Sequence, residues 1–357
     1  MLRTLVLGIV QGLTEFLPIS SSAHLSILPK LLGLRTPELA FDVLLHFGTL
    51  AAVVVYFARD LWSFLLSLVA PGVLGRQQAT ARRRQLVLLL IASIPAAIFG
   101  YLLQDWADAQ TSRPLRSAVW LVFTTAIMIA AELWARSHRV GQPAVATAGG
   151  TAGDGGTLAS GAPGTVAAAG VAGAGGPASL RDDPAPEVDA PGPSPSHVQL
   201  AATASRPMTR AEIRQRREAQ PAAPGSAEKE LERLPLMKAI GIGVAQAVAL
   251  IPGTSRSGVT ISAGLFEGVS REAAARFSFL LSIPAILGAG VLKFDELSRA
   301  SETPAQLAVG FLAAAISGFF AVSFLIRLLR TRTLWPFIWY RLIAGGLFVL
   351  LLATVRG

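Results

Sequence analysis

The sequence predicts an all-α polytopic membrane protein made of two inverted-topology repeats, each a re-entrant broken helix pair followed by three transmembrane helices, about six spans in total. Three observations lead there. Hydrophobic residues make up 52% of the 357 positions and charged residues only 15%, a balance far from that of soluble domains. Six apolar runs are long enough to cross a bilayer, since about 20 residues at helical rise span its hydrocarbon core. Two proline-containing, hydroxyl-rich motifs, "QGLTEFLPISSSAH" at 11–24 and "QAVALIPGTSRSGVT" at 246–260, break otherwise apolar stretches.

The opening "MLRTLVLGIVQGLTEF" has one arginine and a short apolar core, as a signal peptide would, but lacks the small-residue cleavage pattern. Gln11 and Glu15 fall where that core should continue, so the segment reads as mature protein and as the first half of a broken helix. Pro18 stops it, and Ser20, Ser21 and Ser22 can cap a second half-helix that carries His24. Spans follow at 39–58, 86–104 and 117–135. From 139 to 235 the composition shifts to Ala, Gly and Pro, and between 141 and 230 there is no Phe, Trp or Tyr. Such a segment cannot bury enough apolar surface to offset its ordering entropy, so it reads as a disordered linker. Its charged stretch "TRAEIRQRREAQ" at 209–220 reads as a solvated charge run rather than a lipid-bound helix. A second broken helix follows, interrupted at Pro252 and Gly253, and spans at 277–294, 306–328 and 337–355 close the chain. The organisation is therefore repeat 1 at 1–138, linker at 139–235 and repeat 2 at 236–357.

The flanks of the linker are alike. "TPELAFDVLLHFGTLAAVVVYFARDL" (36–61) and "SREAAARFSFLLSIPAILGAGVLKFDEL" (270–297) each begin with a helix-start residue, Thr36 or Ser270, followed two positions later by Glu38 or Glu272. Each continues with Phe-x-x-Leu-Leu and a long apolar run. Pro18 precedes Phe41 by 23 residues and Pro252 precedes Phe277 by 25. A repeat of about 120 residues follows from this spacing. Three spans per repeat is an odd number, so the second copy enters the membrane from the opposite side. Sorted by side, the loop from Arg59 to Arg84, the linker, Arg271, Arg276 and Arg327 to Arg332 gather together, against both termini, Lys30, Arg35, Arg113, Arg116, Lys293 and Arg299. The positive-inside rule then makes the linker cytoplasmic and places both termini outside. The net charge of +9 is thereby explained without a nucleic-acid partner.

The chain has no cysteine and four histidines, His24, His46, His138 and His197. Disulfides, thiolate chemistry and cysteine-bound zinc are excluded. Gln11 and Glu15 are four apart and share one helix face, and a carboxylate in a membrane-embedded segment is a functional candidate. In the second motif Thr254, Ser255, Arg256, Ser257 and Thr260 follow the break. Backbone amides, hydroxyls and a guanidinium fork at a helix start make an anion site suited to phosphate or carboxylate. Brought together, one motif would supply charge-stabilising donors and the other an acid/base pair. Outside the motifs, His46 reads as a packing histidine, Asp42 as facing either the site or a first helical turn, Glu132 and Glu267 as interfacial, and Arg341 as snorkelling.

At the two motifs the sequence resembles the undecaprenyl-diphosphate phosphatases, the integral-membrane bacitracin-resistance phosphatases of bacteria. "VQGLTEFLPISSSAH" is similar to the family's Glu/Gln-x-x-x-Glu element with its following Pro-x-Ser-Ser and His, and "VALIPGTSRSGVT" to its Pro-Gly-x-Ser-Arg-Ser-Gly-x-Thr element. The resemblance covers about 1–138 and 236–357. Three features depart from it: the long insert, Gln11 as the uncharged option at its position, and "SSSAH" where Ser-Thr-Gly-His is common. The resemblance implies hydrolysis of a polyprenyl diphosphate lipid to the monophosphate and phosphate, in a multi-pass protein of the bacterial plasma membrane with its site open to the outer face. It implicates Glu15, His24, Ser21 and Arg256 in catalysis, Ser255, Ser257, Thr260 and Gln11 in substrate binding, and Glu15 in holding a divalent cation, Mg or Ca. Whether Ser21, His24 or water is the nucleophile stays open, as does a homodimer. The competing reading is an inverted-repeat secondary transporter or a polyprenyl-phosphate flippase.

Overall fold

The computed structural model describes residues 1–34, 38–111, 114–138, 225–293, 295 and 301–354, and among them no strand occurs. Helices α1 (Leu2–Phe16) and α2 (Ser21–Leu31) flank the first break. Three spans follow, α3 (Leu39–Tyr56), α6 (Arg76–Leu102) and α8 (Pro114–Ser137), with α4 (Ala58–Val69), α5 (Pro71–Leu74) and α7 (Gln104–Thr111) between them. After α9 (Ser226–Glu232) come the second broken pair, α10 (Leu236–Val248) and α11 (Arg256–Phe266), and the spans α12 (Arg271–Leu292), α13 (Pro304–Leu329) and α14 (Trp335–Thr354). Among the described residues six helices have the length and apolar character to cross a membrane, and they are the six that hydropathy locates.

Local chemistry explains where these helices start. Thr303 and Gln306 form a reciprocal capping box ahead of α13, with Pro304 at its first position. Ser270 caps α12 by accepting from the Ala273 amide, as its helix-start signal predicts. Thr36 lies outside the described residues, and α3 instead begins after Glu38.

Two boundaries differ from the sequence reading. The segment from 59 to 84 is not a loop but α4, α5 and the polar start of α6. The last part of the linker is also ordered: Ala227, Leu231 and Leu234 are buried in the main hydrophobic core. Apolar spacing within "SAEKELERLPL" was outweighed there by the Ala, Gly and Pro content upstream. Residues 139–224, including the charge run at 209–220, lie outside the described residues. Removing 141–230 would therefore take away Glu228, which pairs with Arg276 at 2.8 Å, and Glu230, which accepts from the Ser270 amide at 2.8 Å. That deletion is expected to lower the thermal midpoint in detergent, at about 1–3 kcal/mol for the Ser270 amide left unpaired, while Arg276 keeps Asp60. Replacing only 143–215 with a short Gly/Ser segment is expected to leave the midpoint unchanged.

The packing is reciprocal between the two halves of the chain. Helix α1 lies along α13, the middle span of the second half, and α10 lies along α6, the middle span of the first. Both seams are made of small residues, which lets backbones approach closely. A Cβ on Gly12 would come within 2.5 Å of the Ala314 carbonyl oxygen, and one on Gly243 would strike the Ala92 backbone. Likewise α3 packs on α13 and α12 on α6, while α8 packs on α14.

The ends of α13 show how the broken pairs are arranged. Arg3, at the start of α1, pairs with Glu302 at the start of α13, 3.5 Å apart. At the far end of α13, whose 26 residues extend about 39 Å, Arg330 pairs with Glu272 at the start of α12, 2.9 Å apart. That end also holds Arg276 between Asp60 (3.0 Å) and Glu228 (2.8 Å), and Arg82 on Asp60 (3.2 Å). Arg84 donates there to the Glu232 and Leu234 carbonyls just before α10. Glu132, read as interfacial, is fully buried, and it receives Arg271 and the Leu334 amide. It ties α8 to α12 and to the start of α14.

Candidate active site

Each break is closed by its own hydroxyls. Ser20 caps α2, accepting from the Ala23 amide at 3.4 Å, and is the one non-glycine residue with positive φ (75°) among those described. Ala23 occupies the place where the resemblance leads one to expect glycine; it lies inside α2, fully buried, where no special backbone is needed. In the second break Gly253 has φ 94°, and a Cβ there would strike the Ser117 backbone of α8. Ser255 caps α11, accepting from the Gly258 amide at 3.1 Å.

The two breaks meet. The Gly253 amide donates to Ser22 Oγ at 3.0 Å, and Arg256 Nη2 donates to Glu15 Oε1 at 2.8 Å. The other carboxylate oxygen of Glu15 accepts from Ser21 Oγ at 2.7 Å and Gln11 Nε2 at 3.2 Å. Glu15 is only 7% exposed and Gln11 is fully buried. A buried carboxylate requires such compensation, and here a guanidinium, a hydroxyl and an amide supply it. Two buried atoms in this cluster have no partner among the described residues, Arg256 Nη1 and Gln11 Oε1. One is a cationic donor and the other a neutral acceptor.

The remaining sequence candidates are placed differently. Ser257 lies beside Ser255 at 3.2 Å inside the start of α11. Thr260 donates to the Arg256 carbonyl at 2.8 Å and meets Ser278 Oγ of α12 at 2.5 Å. It braces the backbone that carries Arg256 instead of lining the cluster. His24 turns toward α14, with Nε2 2.8 Å from the Tyr340 hydroxyl.

A family model for the bacitracin resistance protein BacA matches residues 4–159 and 201–347. The chain belongs to the BacA family. Undecaprenyl-diphosphatases are similar to it along almost their whole length. That of Chlorobium phaeovibrioides is 32% identical over 360 residues, covering 99% of this chain and 97% of the relative. That of Alcanivorax borkumensis is 35% identical over 347 residues, covering 96% of each, and that of Geobacter sulfurreducens is 35% identical over 347, covering 96% and 94%.

The structure adds residues to this cluster that motif reading passed over. His46, read as a packing residue, has Nε2 3.7 Å from Glu15 Oε2, an ion pair when the imidazole carries both protons. Its Nδ1 donates to the Asp42 carbonyl at 2.8 Å, with the Asp42 carboxylate 3.9 Å away. The signal was present in the sequence: two polar residues four apart in an apolar span share a face. Arg341, read as snorkelling, is 1% exposed. It donates to Thr125 Oγ1 (2.8 Å), Thr124 Oγ1 (2.5 Å), the Leu121 carbonyl (2.8 Å) and the Pro18 carbonyl (3.4 Å). It thereby fixes the first break to α8 and α14.

Proposed function

We infer that the protein hydrolyses the terminal phosphoanhydride of undecaprenyl diphosphate, or a similar polyprenyl diphosphate, to the monophosphate and inorganic phosphate. This activity returns the lipid carrier to cell-wall glycan synthesis and confers bacitracin resistance. The observation that carries the reading is the cluster of Glu15, Ser21 and Arg256, drawn from two helix breaks of a BacA-family membrane protein.

Phosphoryl transfer needs mainly positioning and charge stabilisation. Arg256 supplies both, since Nη2 is held by Glu15 while Nη1 has no partner among the described residues and can take a phosphate oxygen. The first amides of α2 and α11 favour an anion between them. Ser255 and Ser257 shape the α11 terminus, and Thr260 holds the Arg256 backbone in place. Ser21 donating to Glu15 has the geometry of a nucleophile with its base. In this scheme Ser21 Oγ bonds to the terminal phosphorus as the bridging P–O bond breaks, the proton passes to Glu15, and the prenyl monophosphate leaves. Water then releases phosphate from Ser21, with His24 as acid/base.

A divalent cation, Mg or Ca, fits the donor set. Among the described residues no group of three His, Asp or Glu forms a cage, but one carboxylate beside the unpartnered Gln11 Oε1 suits an ion that keeps waters and binds substrate phosphates. Glu15 and Gln11 would hold it, and it would neutralise diphosphate charge. The ends of α13 support the inverted arrangement, because α1–α2 starts at the Arg3–Glu302 end and α10–α11 at the arginine-rich end. By the positive-inside rule the latter is cytoplasmic, which puts the linker inside, both termini outside, and Glu15 on the pair entering from the outer face.

The test is phosphate release from undecaprenyl or farnesyl diphosphate by detergent-purified protein, with and without a chelator, for wild type, Glu15→Ala, Ser21→Ala and His24→Ala. Cation-dependent release that Glu15→Ala and Ser21→Ala abolish in folded protein is expected. No release from folded wild type would overturn the reading in favour of a transporter or flippase. Substantial release by Ser21→Ala would assign the attack to water or His24.

A further inference from the structure

The environment of His24 determines which of its ring nitrogens is reactive. Nδ1 lies 2.7 Å from the Ser20 carbonyl oxygen, which can only accept, so Nδ1 carries the proton. The positive φ of Ser20 goes with this arrangement, and the same carbonyl also takes the His24 backbone amide at 3.3 Å. The ring is 5% exposed. Apolar residues of α8, Ala118 and Leu121, pack with the neighbouring Ala23 and Ile27 of α2, and Phe348 meets the ring edge-on at 5.5 Å. The charged group facing His24 from α14 is the Arg341 cation, and none of its hydrogen bonds is to a carboxylate. The ring is therefore neutral, and Nε2 bears a lone pair that accepts from the Tyr340 hydroxyl at 2.8 Å. The two rings also stack, with centroids 5.8 Å apart and planes 15° from parallel. Fixing one nitrogen so that the other presents its lone pair is how a histidine is prepared for proton transfer or attack.

We propose that Tyr340 is a positioning residue for His24: its hydroxyl holds Nε2 as the reactive nitrogen and covers that lone pair until a proton-bearing group at the substrate, the attacking water or a phosphate hydroxyl, takes its place. The proposal rests on the reading of His24 as acid/base or nucleophile. Tyr340 is itself exposed, so the hydroxyl can be displaced from outside while His24 stays seated. Arg341, the next residue along, holds the Pro18 carbonyl. Helix α14 thus grips the first break at two adjacent points, one structural and one aimed at the histidine.

The experiment uses the full chain in detergent, labelled with 15N-histidine, alongside steady-state phosphate release. Only four histidines are present, and the His24 resonances are assigned by their loss in His24→Asn. In wild type, Nδ1 is expected to be protonated and Nε2 to be a bare, hydrogen-bonded acceptor whose signal moves when inorganic phosphate is added. Tyr340→Phe keeps the stacked ring and removes only the hydroxyl. It is expected to shift the Nε2 signal without phosphate, leave the thermal midpoint unchanged, and lower kcat by about 10- to 100-fold with KM nearly constant. A wild-type His24 protonated on Nε2 overturns the proposal whether or not the variant folds. So does a folded Tyr340→Phe with unaltered His24 signals and full kcat. If wild type releases no phosphate, the phosphatase reading fails, while the tautomer measurement still decides what Tyr340 does to His24.

Discussion

Arg256→Ala is expected to lower kcat/KM for prenyl diphosphate by about 10²–10³-fold, or about 3–4 kcal/mol of transition-state stabilisation. Two effects combine. The transferring phosphoryl group loses the Nη1 donor, which has no other partner among the described residues, and Glu15 loses its 2.8 Å contact with Nη2 while remaining buried. A carboxylate stripped of that contact is no longer oriented toward Ser21, whose proton it is placed to take. Arg256→Lys restores a charge without the planar fork that binds carboxylate and phosphate at once, so it should recover only part of the loss. Initial rates of phosphate release, with thermal midpoints to show that the variants fold, check both statements. An alanine variant within a few-fold of wild type would remove Arg256 from the chemistry.

The largest loss of stability is expected at Glu132, away from the chemistry. Its carboxylate is fully buried and receives Arg271 from α12 and the Leu334 amide at the start of α14. Removing one partner of a buried pair costs about 3–5 kcal/mol, because the other is left uncompensated. The lower part of that range is expected here, since the Arg271 side chain keeps 17% exposure and can draw on water. Glu132→Ala should therefore depress the thermal midpoint in detergent, whereas Glu132→Leu combined with Arg271→Leu should lose less than the single change, as neither charge is then stranded. A double variant no better than Glu132→Ala would show that the helix contacts, and not the ion pair, carry the stability.

How much of this could be read beforehand depended on the distance over which each feature is encoded. The six spans are local statements, since a run of apolar residues of bilayer length has no other stable solution than a helix. The breaks are local too: Pro18, Pro252 and Gly253 interrupt a helix whatever surrounds them, and the hydroxyls after them cap the next one. That Glu15, Ser21 and Arg256 lie in one cluster was expected from two like motifs, each breaking an apolar stretch. Their detailed roles were not. Ser257 and Thr260 carry the same hydroxyl chemistry as Ser21, yet Thr260 is spent on the Arg256 carbonyl and Ser278.

Residues outside the motifs needed the fold. His46 and Arg341 sit in apolar spans, where packing and snorkelling are the ordinary readings. Only the approach of α3 to α1 brings His46 to Glu15, and only the pairing of α8 with α14 encloses Arg341 in hydroxyls and carbonyls. Tyr340 had no motif at all, and its hydroxyl matters because His24 lies against it from 316 residues away. Sequence by itself determined that this is a six-span helical membrane protein with two polar breaks, because hydropathy and helix termination act within a turn or two of the residue concerned. Tertiary structure decided which polar groups face one another, because in a low-dielectric interior each buried donor, acceptor and charge must find its partner across helices.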